Sequence, residues 1–274
     1  MSVKKEVSGR RSVQAEVEVP GTPEEVWQAI ATGPGVSSWL VPAEFEERDG
    51  KPVAMRLDFG SGMKPCAVVT TWDPPRVLAM QADGFVPGSP PLASEWQIEA
   101  QAGGTCTVRL VHSLFASTDD WDNQLEGTES GWPGFFRILR IYLTQFRGQR
   151  SAMMQWMAPA AGTEAEAWET LTAALGLKGV SAGQRWTAPA GVPALGGVVE
   201  HVSQSPCNAL LRLDKPGPGT AALGAVNFGG SSMVTLSFYL YGDQAAGTVA
   251  SETPLWQAWI QERFPMRSET SKSE

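Results

Sequence analysis

The chain has 274 residues, 42% hydrophobic and 18% charged, which is enough apolar material for a substantial core in one or two domains. Its net charge of -8 argues against a general phosphate-backbone binder, which needs a basic face to displace counterions. No apolar run approaches the roughly 20 residues that a bilayer-crossing helix requires, so neither nucleic acid nor membrane insertion is expected. Residues 1–11 carry Lys4, Lys5, Arg10 and Arg11 without a following apolar stretch. They read as a disordered, solvated tail rather than a secretory signal. Three widely spaced cysteines, Cys66, Cys106 and Cys207, lack framework spacing and read as reduced, buried thiols of a cytoplasmic protein.

In residues 12–19, Val13, Ala15, Val17 and Val19 alternate with polar neighbours, which predicts a strand with one face on a core. Pro20-Gly21 ends it, and Thr22 is a good N-cap for a helix with Pro23, Glu24 and Glu25 in its first turn. Val26, Trp27 and Ile30 give that helix its apolar stripe, and it ends near Gly33-Pro34-Gly35. Strands follow through Val53, Met55, Leu57 and Phe59, then over 67–72, 77–81, 94–100 and 105–115, with Gly103-Gly104 as a hairpin turn. Short turns between consecutive strands predict an antiparallel sheet. After a polar, acidic loop, Trp132, Phe135, Phe136, Leu139, Leu143 and Phe146 recur at helical spacing and predict a long helix starting at Trp132.

The order then repeats. Gly162-Thr163-Glu164-Ala165-Glu166-Ala167-Trp168 echoes Gly21-Thr22-Pro23-Glu24-Glu25-Val26-Trp27 at one constant offset. Residues 151–159 stand where a first strand belongs. Further strands are predicted over 195–202, 208–213, 221–228 and 233–241, and Leu255, Trp256, Trp259 and Ile260 mark a closing helix. The reading is a first domain over 12–148, a second, divergent one over 149–265, and a disordered tail over 266–274.

Several segments of the first half together resemble one known family. They are Val17-Glu18-Val19-Pro20 running into Thr22-Pro23-Glu24-Glu25-Val26-Trp27, then Trp39, Trp72-Asp73-Pro74-Pro75-Arg76-Val77-Leu78, Gly103-Gly104-Thr105, Val111-His112-Ser113 and Gly131-Trp132. In order and spacing they are similar to the activator of heat-shock-protein-90 ATPase homologue-like family, within the START and polyketide-cyclase-like (SRPBCC) superfamily. The loop from Phe85 to Pro91 has no counterpart in that pattern. The resemblance implies an α+β helix-grip, a curved antiparallel sheet around a long C-terminal helix, and through the repeat two copies in tandem. It also implies a cavity between sheet and helix for a small hydrophobic or amphipathic ligand. The expected lining is Trp39, Met55, Leu57, Trp96, Ile98, Leu110, His112, Phe135, Phe136, Leu139 and Leu143, the sheet members pointing inward by alternation.

No Walker loop, dinucleotide glycine fingerprint or metal-binding pattern occurs, and no cofactor is expected. His112 shares a face with Val108, Leu110 and Leu114. It is either a core histidine satisfied by a neighbour or a group able to move a proton on a bound carbonyl compound. His201 reads as structural. Asp119, Asp120 and Asp122 lack the glycine turn and closing glutamate of a calcium loop and read as a solvated loop. Most of the eleven tryptophans are expected in the core. Binding of a small apolar molecule without an evident catalytic centre is the leading reading. The alternatives are an aromatase/cyclase-like enzyme using His112 and a co-chaperone-type interaction module with a protein partner.

Overall fold

The computed structural model describes residues 3–60, 62–84, 88–228 and 230–265. A two-residue strand, β1 (Lys4–Lys5), pairs with β2 (Arg10–Pro20), whose Val13 and Val19 are buried while Gln14, Glu16 and Glu18 face solvent. Helix α1 (Pro23–Ile30) begins in a capping box: Thr22 Oγ1 accepts from the Glu25 N–H, and the Glu25 carboxylate accepts from the Thr22 N–H. A second short helix, α2 (Gly33–Ser37), lies where the sequence suggests only an ending. Gly35 makes its close approach to α1 possible, since a Cβ there would lie 1.9 Å from the Gln28 carbonyl oxygen.

The first unit, Met1–Arg150, continues through β3 (Ala43–Arg48), β4 (Lys51–Leu57), β5 (Cys66–Asp73), β6 (Val77–Ala82), β7 (Leu92–Gln101), β8 (Thr105–Phe115) and α3 (Asp122–Gln145). Its eight strands form one antiparallel sheet in the order β1-β2-β8-β7-β6-β5-β4-β3. Helix α3 packs on β2 and β8, and α1 packs on β7. This is an α+β helix-grip.

The second unit, Ser151–Glu274, runs β9 (Ser151–Pro159), α4 (Glu164–Ala174), β10 (Arg185–Thr187), β11 (Gly196–Gln204), β12 (Cys207–Lys215), β13 (Gly219–Phe228), β14 (Ser231–Tyr241) and α5 (Ala245–Arg263). Its sheet, β10-β11-β12-β13-β14-β9, has six antiparallel strands, and α5 packs on β9 and β14. Helix α4 also starts in a capping box, Thr163 with Glu166. The core of this unit centres on Trp168, Phe238 and Trp256, with the last two rings 4.9 Å apart.

Four readings of the sequence need correction. Residues 4–11 are not a free tail. The buried Arg11 guanidinium donates to both carboxylate oxygens of Asp122 (2.7 and 2.9 Å), to Asp119 (2.6 Å) and to the Ala116 carbonyl (3.2 Å). Lys5 adds ion pairs of 3.0 and 2.9 Å to the same two aspartates. The acidic loop is therefore held by two cations rather than merely solvated. Hydrogen bonds from Lys5 and Arg11 keep Asp119 below its ordinary pKa. Burial pushes Asp122 up, but the bonds from Lys5 and Arg11 outweigh it and leave that group low as well.

Helix α3 begins at Asp122, ten residues' worth of chain before the expected Trp132, despite Gly127, Gly131, Pro133 and Gly134. Such residues have poor helix propensity, and Pro133 cannot donate to the turn before it. Leu125 anchors this early stretch by packing with Val3, Val13 and Leu114. Cys66 is exposed, not buried, because the alternation of β5 turns Ala67 and Val69 inward and Cys66 outward. The expected tail over 266–274 lies outside the described residues, as do Phe85 to Pro87 of the individual loop.

Candidate functional site

Strand pairing in the first unit lines up inward side chains in rows. One row reads Met80, Ser94, His112 and Val13 across β6, β7, β8 and β2. The next reads Leu78, Trp96, Leu110 and Ala15. Period-two alternation puts both rows on the side facing α3.

Helix α3 meets these rows with aromatic rings. Trp96 stands edge-on to Trp132 at 5.2 Å, to Phe136 at 6.1 Å and to Trp39 at 6.4 Å. Trp132 in turn lies 5.6 Å from Phe135 and 5.4 Å from Phe136. Such T-shaped and tilted contacts suit the ring quadrupoles.

The structure thus brings Trp39, Trp96, Leu110, His112, Phe135 and Phe136 of the expected set together. Ile98, Leu139 and Leu143 are buried, as is Met55. Leu57, on the same face of β4 as Met55, is half-buried, and so are Phe135 and Trp132. Burial therefore grades along the interface. It is nearly complete toward Val19, Cys106 and Val108 and incomplete around Trp132, Phe135 and Ser94.

His112 sits at this less sealed region and is 7% exposed. Its two ring nitrogens are both engaged. The Trp132 indole N–H donates to Nε2 at 2.8 Å, and Nδ1 lies 2.8 Å from Ser94 Oγ. An indole nitrogen only donates, so Nε2 must be the unprotonated nitrogen. The neutral ring then carries its proton on Nδ1 and donates it to Ser94 Oγ. Burial pushes the His112 pKa down to about 4, so the ring is neutral near pH 7. A histidine held this way offers no free lone pair to a substrate. Of the two sequence readings of His112, the one satisfied by neighbours matches this bonding.

Two residues outside the expected set join this cluster, Ser94 and Trp132. Ser94 lies two positions before Trp96 on the same strand face, and that spacing was its visible signal. Trp132 read only as the first residue of a helical stripe, because nothing local announces an indole aimed at a histidine twenty residues upstream. His201 is half-buried on β11 in the second unit.

A concavity of about 350 Å³ opens at the opposite end of the strands, lined by Gly21, Thr22, Gln101, Thr105 and Arg147. Its lining is mainly apolar, with Pro20, Pro23 and Ala100 among it, and the Arg147 to Glu25 ion pair of 2.6 Å occupies one wall. None of the expected lining residues reaches it. Among the described residues no cluster of histidine, cysteine and carboxylate side chains is arranged to hold a metal ion. Likewise, among them no helix is long and apolar enough to cross a membrane.

The family model for polyketide cyclase / dehydrase and lipid transport proteins matches residues 10–147, just over half of the chain. The chain belongs to this family. The match agrees with the superfamily that the first unit resembles in sequence. No curated protein matches the chain.

Among solved structures, the di-domain ARO/CYC BexL from the BE-7585A biosynthetic pathway is 12% identical. It covers 94% of this chain and 100% of its own, with a TM-score of 0.44. DynU16, from the dynemicin biosynthetic locus, is 18% identical over 91% of this chain and 96% of its own, with a TM-score of 0.41. The Aha1 dimer from Colwellia psychrerythraea is 22% identical over 50% of this chain and 98% of its own, with a TM-score of 0.39. These scores lie below 0.5, and nothing about activity follows from them.

Proposed function

We propose that the first unit binds a small apolar or amphipathic molecule between its inward sheet face and α3. One observation carries this reading. Leu57, Trp132 and Phe135 face the interior, yet they remain partly open, while Trp39, Trp96, Leu110, Phe136, Leu139 and Leu143 are sealed. Large apolar groups left open on a concave face gain free energy when a ligand covers them, at about 25 cal/mol for each Å² removed from water. Membership of a family that includes lipid-transport proteins supports the same class of ligand. The bonding of His112 counts against its use as a general base, so binding is preferred here to turnover.

The second unit repeats the order of strand, capped helix, antiparallel strands and closing helix, and Thr22, Glu25 and Trp27 correspond to Thr163, Glu166 and Trp168. We read the pair as a duplication in which the second sheet has lost its outermost strands.

Fluorescence titration of the whole chain with N-phenyl-1-naphthylamine tests the reading. The probe is expected to brighten on binding the wild type. Phe135→Asp puts a charge on a half-open wall where the side chain is not needed to close the core, and is expected to weaken binding at least tenfold, since an unpaired charge beside an apolar ligand is strongly disfavoured. No brightening by the folded wild type, or equal affinity in the variant, would contradict the proposal.

A further inference from the structure

The hydrogen bonds around His112 all run in one direction, and the last hydrogen in the line is unused. Trp132 Nε1–H donates to His112 Nε2, and His112 Nδ1–H donates to Ser94 Oγ, each at 2.8 Å. Because that hydroxyl oxygen accepts from the ring, its own hydrogen is free to rotate toward another acceptor. Among the described residues Ser94 has no second hydrogen-bond partner. It is half-buried, in the inward row between Met80 and His112 and next to Trp96 on its own strand.

We propose that Ser94 is the specificity-determining donor of the apolar site, and that its ligand carries a carbonyl oxygen, as in a ketone, quinone or ester. The inference rests on the reading of the site as a binding cavity and names the chemistry it selects.

Three physical points support it. The surroundings of Ser94 are apolar, so once a ligand covers it and excludes water a hydroxyl hydrogen without an acceptor is costly and a matching oxygen is rewarded. The indole and imidazole upstream polarise the hydroxyl, which strengthens it as a donor. Trp132 also forbids the other tautomer, because a hydrogen on Nε2 would face the indole hydrogen. Without that constraint His112 could protonate on Nε2 and take the Ser94 hydrogen on Nδ1, leaving nothing for a ligand. Trp132 is in this respect a positioning residue for a donor it does not touch.

Fluorene and 9-fluorenone test the idea, since they share a rigid aromatic frame and differ by one carbonyl. Binding of both to the whole chain is measured by quenching of tryptophan fluorescence, and the carbonyl stretch of bound fluorenone by infrared difference spectroscopy. The ratio of fluorenone to fluorene affinity is expected to fall roughly fivefold in Ser94→Ala, the worth of one ordinary hydrogen bond. The carbonyl stretch is expected to return toward its value in hydrocarbon solvent. Ser94→Thr keeps a hydroxyl and is expected to keep the ratio. Trp132→Phe is expected to lose it although Ser94 is intact.

A ratio and stretch unchanged in Ser94→Ala would overturn this inference while leaving the apolar site standing. Binding of neither compound by the folded wild type would overturn both.

Discussion

Alanine in place of Trp39 is expected to cost the first unit roughly 3–5 kcal/mol, the range for deleting a large aromatic group from a core. Trp39 is 0% exposed, and its indole N–H donates to the Ala29 carbonyl at 2.9 Å. That bond ties the segment after α2 back to the end of α1, while the ring meets Trp96 edge-on. Truncation removes the ring, opens a cavity behind Trp96 and orphans a helix-terminal carbonyl at once. Trp39→Phe keeps most of the volume and is expected to cost about 1–2 kcal/mol, mainly for the unpaired carbonyl. Native-state amide exchange in the central strands β7 and β8 measures the change. A loss below about 1 kcal/mol in Trp39→Ala would mean that the indole is not part of the packed interior.

The second large effect depends on pH. His112 has a folded pKa of about 4 against an ordinary value of 6.5, so the unfolded chain binds a proton there before the folded one does. Its contribution is therefore fully present above pH 6.5 and is lost as pH falls toward 4. Between pH 7 and pH 5 the wild type is expected to lose about 2 kcal/mol through this group alone. Protonation would also set an N–H on Nε2 against the Trp132 indole N–H, so the same proton breaks the bond that fixes Ser94.

Carboxylates held low by their partners, such as Glu25 with Arg147 and Thr22, weaken the fold at more acidic pH in either form of the protein. His112→Gln retains a donor and an acceptor but does not titrate. Its stability is expected to change little over the same interval, and urea unfolding at both pH values gives the comparison. Identical slopes for the two proteins would show that His112 is not held neutral by burial.

Much of the fold is legible in the sequence because its signals are local. The Thr22 and Thr163 caps, the alternation through Trp96 and Ile98, and the Gly103-Gly104 turn each act over a few residues. Strand β3 carries Glu44, Glu46 and Glu47 around a single Phe45, so an edge strand exposed to water has no apolar alternation to betray it. The first turns of α3 escape notice for the converse reason. Their glycines and Pro133 oppose a helix, and what stabilises them comes from far along the chain, through Leu125 in a small core and Asp122 against Arg11.

The site divides in the same way. Alternation identifies the inward residues of β7 and β8, including His112. The partners that settle its chemistry, Ser94 on the neighbouring strand and Trp132 on the helix, depend on register and helix placement. An inward histidine read alone leaves acid-base work open; read with both partners it becomes the middle of a hydrogen-bond line.

The most direct trial is to locate a bound apolar molecule by its own scattering. Crystals of the whole chain grown with 2-bromofluorene are expected to show anomalous bromine density within the first unit, against Trp96, Trp132 and Phe135. Density confined to the concavity beside Arg147, or to a lattice contact, would contradict the assignment of that aromatic wall as a ligand site.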